Sequence, residues 1–231
     1  MTGISGRRTL LRASVGASLA SAAIALPGQA QEARKKRSDE TVSPAEILMR
    51  ENAVLARILL IYESAMRRLA QGEDIDPAVL EASARIVVDF IHRHHEKQEE
   101  ELVFPRFKTA GRMVELVNVL VIQHTAGRKL TERIVAAAPQ ARSRQPREAM
   151  APDIQAFVTL YRPHMAREAT DIYPTLRHLV TPDEFQEMAD QMSRNERQAF
   201  GAEGFETVAR TVHEIEKSIG LGDLDLFTPK G

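Results

Sequence analysis

Apolar residues return along this chain at helical spacing in four long stretches. Leu48, Leu55, Leu59 and Tyr62 share one face of a first helix, since positions three and four apart stack on the same side. Leu80, Ala84, Val87, Val88, Ile91 and Leu102 mark a second stripe. Met113, Leu116, Val117, Leu120 and Ile134 mark a third, and Phe157, Leu160, Tyr161 and Ile172 a fourth. Ser43-Pro44-Ala45-Glu46 opens the first helix with a capping box and a proline at its first position, and Gly72 closes it. The second helix is expected from about Pro77 to Pro105, the third from Arg112 to Ala138, and the fourth from Glu148 to Tyr173, before Pro174. Thr181-Pro182-Asp183-Glu184 repeats the capping box for a fifth helix ending near Gly201, and a sixth covers Phe205 to Ile219. No stretch alternates with the period of a strand. The pattern predicts an all-α fold. Residues 43–180 are expected to form an up-down antiparallel four-helix bundle, with two additional C-terminal helices in residues 181–231 packed on it.

Polar residues interrupt these stripes in phase with them. His95 and Glu99 continue the second stripe, His124 sits in the third, and His164 and Glu168 sit in the fourth. Two of the interruptions share a template. HHEKQEEELVFP (94–105) and HMAREATDIYP (164–174) both read H-x3-E-x4-[FY]-P, with His95, Glu99, Phe104 and Pro105 matching His164, Glu168, Tyr173 and Pro174. A spacing of four brings Cβ atoms about 5–6 Å apart on a helix. Inward carboxylates without partners are costly. A metal ion compensates them directly, and imidazole with carboxylate suits iron, manganese or zinc. A lone inward histidine is more often a hydrogen-bonded core residue, but five such groups from three helices favour a metal site over a polar core network. Glu96, Glu100 and Glu101 are expected on a solvated face or as partners of Arg and Lys. His94, about 100° from His95, faces away, His92 is an outer group one turn before Glu96, and His178 and His213 belong to the surface.

Composition narrows the functions. The 231 residues carry a net charge of -1 and no Trp, which gives nucleic acid or an anionic membrane no electrostatic or stacking footprint. Residues 1–30 order a basic start with Arg7-Arg8, an apolar run from Ala13 to Leu26 and small residues up to Ala30. That order is a signal peptide, read as the twin-arginine type, with the general secretory route as the alternative. Its apolar run is too short for stable membrane insertion. A flexible linker (31–42) would follow, and the mature chain is expected in the periplasm. Without cysteine, its redox chemistry cannot come from thiols. No nucleophile–base pair or phosphate-cradling glycine loop supports a hydrolase or a nucleotide-binding protein.

From Ser43 to about Leu176, the segments HHEKQEE with VFP, QHTAGRKL and YRPHMAREATDIYP together resemble the hemerythrin-like HHE cation-binding family. The resemblance implies a four-helix bundle around a non-heme di-iron centre, ligated by His95, Glu99, His124, His164 and Glu168. It makes Glu96 a second-rank ligand, because in some relatives the residue after the first histidine of that helix contributes. The family usually has a histidine in its first helix, where this chain has Asn52, a second-rank and weak amide ligand. Oxygen carriers also have a second histidine where this chain has Arg128. The site is therefore poorer in histidine, and open coordination positions would take dioxygen, peroxide or nitric oxide. A single iron, a mononuclear zinc or manganese site, and a metal-free interaction domain with a decayed site are the competing readings.

Overall fold

A computed structural model describes residues 42–141 and 143–229. The expected signal peptide (1–30) and all but the last residue of the linker (31–42) lie outside them. Every regular element among the described residues is helical, and no helix there is long and apolar enough to cross a membrane. Six helical rods result. The first is α1 (Pro44–Ala70). Ser43 Oγ accepts from the Glu46 amide at 3.3 Å, and the Glu46 carboxylate accepts from the Ser43 amide at 2.9 Å. These bonds satisfy donors that a helix start leaves open.

The second rod opens with α2 (Pro77–Ile86), capped by Asp76. It passes without a loop through a π-helical stretch (Val87–His95), a single turn α3 (Glu96–Gln98), a second π stretch (Glu99–Val103) and α4 (Phe104–Thr109). It therefore does not stop at Pro105. In the π turn the Phe104 amide bonds to the Glu99 carbonyl, five residues back. Pro105 then falls in the first turn of α4, where a missing N–H costs no helical bond. The third rod is α5 (Val114–Ala137), which starts after Met113 in the left-handed region at φ 49°. The fourth begins earlier than expected. It comprises α6 (Arg144–Arg167), a π stretch (Glu168–Ile172) and α7 (Tyr173–Leu176). α6 stays helical through Pro152 and Pro163. Tyr173 bonds back to the Glu168 carbonyl and Pro174 opens α7, so the helix again outruns its proline. The repeated template thus encodes a backbone device: a π bulge that begins at each glutamate, followed by a proline that restarts the helix. The last two rods are α8 (Pro182–Phe200), with its own Thr181–Glu184 capping box, and α9 (Gly204–Ser218).

Two apolar clusters flank a polar band. α1 contributes Ile47 and Leu48 to one cluster, then Leu55, Ile58 and Tyr62 to the other. In the second rod the order is reversed, with Phe90 and Ile91 before Val103 and Phe104. α5 has Val117 and Leu120 before Leu130 and Ile134, and the fourth rod has Phe157 and Tyr161 before Ile172 and Tyr173. In each of these four rods the buried His and Glu residues fall between the two apolar blocks. Burying each large apolar side chain is worth about 1.5–3 kcal/mol, so packing on both sides holds the polar band in register. α8 adds Met188 and Met192 to one cluster, and α9 adds Val208 and Val212 to the other.

Candidate metal centre

Glu99, His124, His164 and Glu168 meet at the middle of this band. All four are buried, and each offers one ligand atom within 4.8 Å of the others. His124 Nε2 stands 3.2 Å from His164 Nε2, 3.4 Å from Glu99 Oε2 and 4.0 Å from Glu168 Oε1. His164 Nε2 is 2.8 Å from Glu168 Oε1. His95 stands beside this group, with Nε2 at 3.7 Å from Glu99 Oε2.

Each imidazole is held from behind. Nδ1 of His95 lies 2.9 Å from Glu51 Oε2, Nδ1 of His124 is 2.9 Å from Glu100 Oε1, and Nδ1 of His164 is 2.9 Å from Gln123 Oε1. These oxygens only accept, so each Nδ1 carries a proton, and a ring that gives up its other proton turns its Nε2 lone pair inward. This is the outer support that metal-ligating histidines use. The carboxylates are held on one side only. Tyr173 donates to Glu99 Oε1 at 2.8 Å and accepts from Asn52 Nδ2 at 2.8 Å, while Asn52 also donates to Glu168 Oε2 at 2.9 Å. Their other oxygens, Glu99 Oε2 and Glu168 Oε1, are buried without a hydrogen-bond partner. Bare carboxylate oxygens facing imidazole nitrogens in a dry interior call for positive charge, and two imidazoles with two carboxylates fit a borderline divalent cation.

Without metal, protons supply that charge. Burial pushes the His95 imidazole down, but the carboxylates of Glu99, Glu51 and Glu168 outweigh it and hold it up to about 9. Burial also opposes protonation of His124, yet the hydrogen bond to Glu100 and the facing Glu99 and Glu96 carboxylates hold it up to about 10. Glu99 is raised by burial and by the facing charge of Glu168. Burial raises Glu51, but the bonds from His94 and His95 prevail and bring it down to about 2.

The second-rank candidates stand in contacts of their own. Glu96 Oε1 accepts from Tyr161 at 2.6 Å and lies 2.9 Å from His92 Nδ1, while its Oε2 is 2.9 Å from Arg128. Asn52 directs its N–H groups, not its oxygen, at the centre's supports, and its Oδ1 has no partner. Glu51 is the residue that sequence reasoning missed. Its carboxylate joins His94 Nε2 at 3.1 Å to His95 Nδ1. The signal was present, for Glu51 lies one turn after Ile47 and one before Leu55, both in the core. His94 is buried as well, because the π stretch ending at His95 widens the turn and brings neighbouring positions to the same side. Its outer edge reaches a surface cavity of about 410 Å³ between the second rod and α8.

A family model for the hemerythrin HHE cation-binding domain matches residues 43–176. The chain is 42% identical over 233 residues to the uncharacterized proteins Mb2018 of Mycobacterium bovis and Rv1995 of Mycobacterium tuberculosis, covering 97% of this chain and 91% of each relative. No solved structure matches the chain. With the match spanning more than half its length and ending just beyond the second template, the chain belongs to the hemerythrin HHE cation-binding domain family.

Proposed function

We propose that this is an exported, periplasmic metal-binding protein whose centre takes non-heme iron and meets dioxygen, peroxide or nitric oxide there. The observation that carries metal binding is the pair of bare carboxylate oxygens, Glu99 Oε2 and Glu168 Oε1, facing the Nε2 atoms of His124 and His164. Glu99, His124, His164 and Glu168 would hold the ion, with His95 as the adjacent donor. A bound iron would supply Lewis-acid and one-electron redox chemistry. The chain's part is to exclude water and fix the ligand orientations. Glu51, Glu100 and Gln123 lock the imidazoles, and Tyr173 and Asn52 lock the carboxylates. The depth of the centre supports small reactants: its four ligands are at most 3% exposed, which suits a diatomic molecule or peroxide over any larger substrate. The opposite order of the apolar blocks along successive rods supports an up-down antiparallel bundle. Export through the twin-arginine route rests on the leader sequence alone.

Elemental analysis and an absorption spectrum of protein isolated from its native compartment test this reading. Iron with near-ultraviolet and visible absorption is expected, whereas zinc or manganese alone would remove iron from the proposal. His164→Ala and Glu99→Ala should lose metal, and His213→Ala, on an exposed face of α9, should keep it. Equal metal content in all three variants would refute the ligand assignment.

A further inference from the structure

We infer that the centre is built for a single metal ion, and that the chain's own guanidinium and hydrogen-bond donors fill the space a second ion would need. The inference rests on the metal-binding reading above and refines it.

Dinuclear carboxylate centres in helical bundles draw on several glutamates, and their two ions sit about 3.5–4 Å apart. A carboxylate that bridges such a pair commits both oxygens. Neither central carboxylate has two to give. Glu99 Oε1 is taken by the Tyr173 hydroxyl at 2.8 Å, and Glu168 Oε2 by the Asn52 amide at 2.9 Å. What is left bare is one oxygen from each, Glu99 Oε2 and Glu168 Oε1. These two oxygens and the Nε2 atoms of His124 and His164 form one compact group. Four ligand atoms within 4.8 Å of one another, with His95 Nε2 at their edge 3.7 Å from Glu99 Oε2, suit one ion.

The neighbouring acids are already neutralised. Glu96 and Glu100 gather beside His124 in a second group of ligand-type side chains. Arg128 lies across that group, 2.9 Å from Glu96 Oε2 and 2.7 Å from Glu100 Oε1. Glu96 Oε1 is also held by Tyr161, and Glu100 Oε1 by His124 Nδ1. A dication entering here would have to expel a guanidinium bound by two carboxylates, and guanidinium groups do not deprotonate in proteins. A third group, Glu51, His94 and Glu196, is spent in the same way. Glu51 serves two imidazoles, and Glu196 pairs with Arg50 at 2.5 Å. Glu96 Oε2 also makes no hydrogen bond, but it faces the Arg128 guanidinium; among the described residues, only the central group directs such oxygens at imidazole nitrogens.

Anaerobic titration of the metal-free full chain with manganese(II), and separately with iron(II), tests this. Bound metal is counted by elemental analysis after gel filtration, and paramagnetic resonance of the manganese form reads its nuclearity. One ion per chain with an uncoupled manganese spectrum is the expected result. The isosteric Glu168→Gln, with circular dichroism confirming its fold, should retain none. Two ions per chain, or a spin-coupled manganese spectrum, would overturn the single-ion inference while leaving metal binding intact. A wild-type chain that retains no ion would remove the metal-binding reading and this inference with it.

Discussion

Glu51→Gln isolates the role of a residue that touches no metal and yet governs a histidine beside the centre. The carboxylate accepts from two imidazoles, His94 at 3.1 Å and His95 at 2.9 Å, in a position that is 0% exposed. An amide of the same shape keeps one acceptor oxygen and puts an NH2 group where the second was. One imidazole N–H then confronts a donor. If that ring is His95, the neutral form that metal needs keeps its proton on Nε2 rather than Nδ1, which points a hydrogen instead of a lone pair at Glu99. Hydrogen bonds to charged groups are worth about 1.5–3 kcal/mol each. Losing one and weakening the other should destabilise the metal-free chain by about 3 kcal/mol, a drop of about 6–12 °C in Tm for a domain of this size. Metal affinity should fall about 10–100-fold, the usual effect of removing an outer partner of a ligating histidine. Calorimetric titration with manganese(II) and thermal melts of the metal-free chain measure both. Glu196→Gln is the control. It disturbs the Arg50 pair and stability but has no contact with His95, so its metal affinity should stay at the wild-type level. A Glu51→Gln chain that binds metal as tightly as the wild type would refute the claim that this carboxylate sets the His95 tautomer.

Three further outcomes follow from the same geometry. Gly127→Ala would place a Cβ 2.0 Å from the Tyr161 hydroxyl and 2.6 Å from its ring. The usual helix gain of about 1 kcal/mol is then outweighed by overpacking and a strained Tyr161–Glu96 bond, for a net loss of about 3 kcal/mol in urea denaturation. Adding Tyr161→Phe should recover part of it, and a Gly127→Ala chain as stable as the wild type would refute the contact. Stability of the metal-free chain should depend on pH in two windows. The raised His95 and His124 contribute fully below about 6.5 and lose that contribution as pH rises through about 9 to 10. The depressed Glu51 contributes above about 4.5 and loses it as pH falls toward about 2. Because metal needs the neutral imidazoles, the rise in Tm on adding manganese(II) should grow between pH 6.5 and 9, and a constant or shrinking rise would contradict the assignment. Tyr173→Phe removes the donor to Glu99 Oε1 and should weaken manganese(II) binding about tenfold, an effect calorimetry would show to be absent if the hydroxyl is idle.

The six rods were legible because stripes and caps agree. Ser43 and Thr181 start their helices where the capping boxes say, and the apolar stripes face the two clusters. The boundaries at Pro105 and Pro174 were not legible from proline alone. A proline reads as a stop only if the hydrogen-bond register is that of an α-helix, and the π turns at Glu99 and Glu168 change the register just before it. The same widening hid part of the centre's surroundings. Counting 100° per residue turned His94 away from His95, yet it reaches Glu51. Glu100 pairs with Arg128, as an acid beside Arg and Lys was expected to, but also reaches His124. Glu51 was missed for a different reason. Its neighbour Asn52 occupies the position where the family resemblance expects a ligand, and the spacing to Ile47 and Leu55 marks Glu51 as inward without showing which histidine on another helix it supports. Tyr161 and Tyr173 read as core aromatics; only the packed fold shows their hydroxyls on Glu96 and Glu99.

The match to the family ends at residue 176, but the insulation of the centre does not. Phe200 of α8 stands edge-on to His94 at 5.2 Å and packs on Phe90 at 5.3 Å, and Glu196 and Glu216 clamp Arg50 and Arg57 of α1. A fragment cut after Leu176 would retain each proposed ligand and still differ chemically. The cavity beside His94 would become open water, and the Glu51 charge that steadies His95 would be screened by solvent. Grafting the C-terminal pair of helices from one relative onto another is therefore a way to retune how firmly the ion is kept without altering any atom that would touch it.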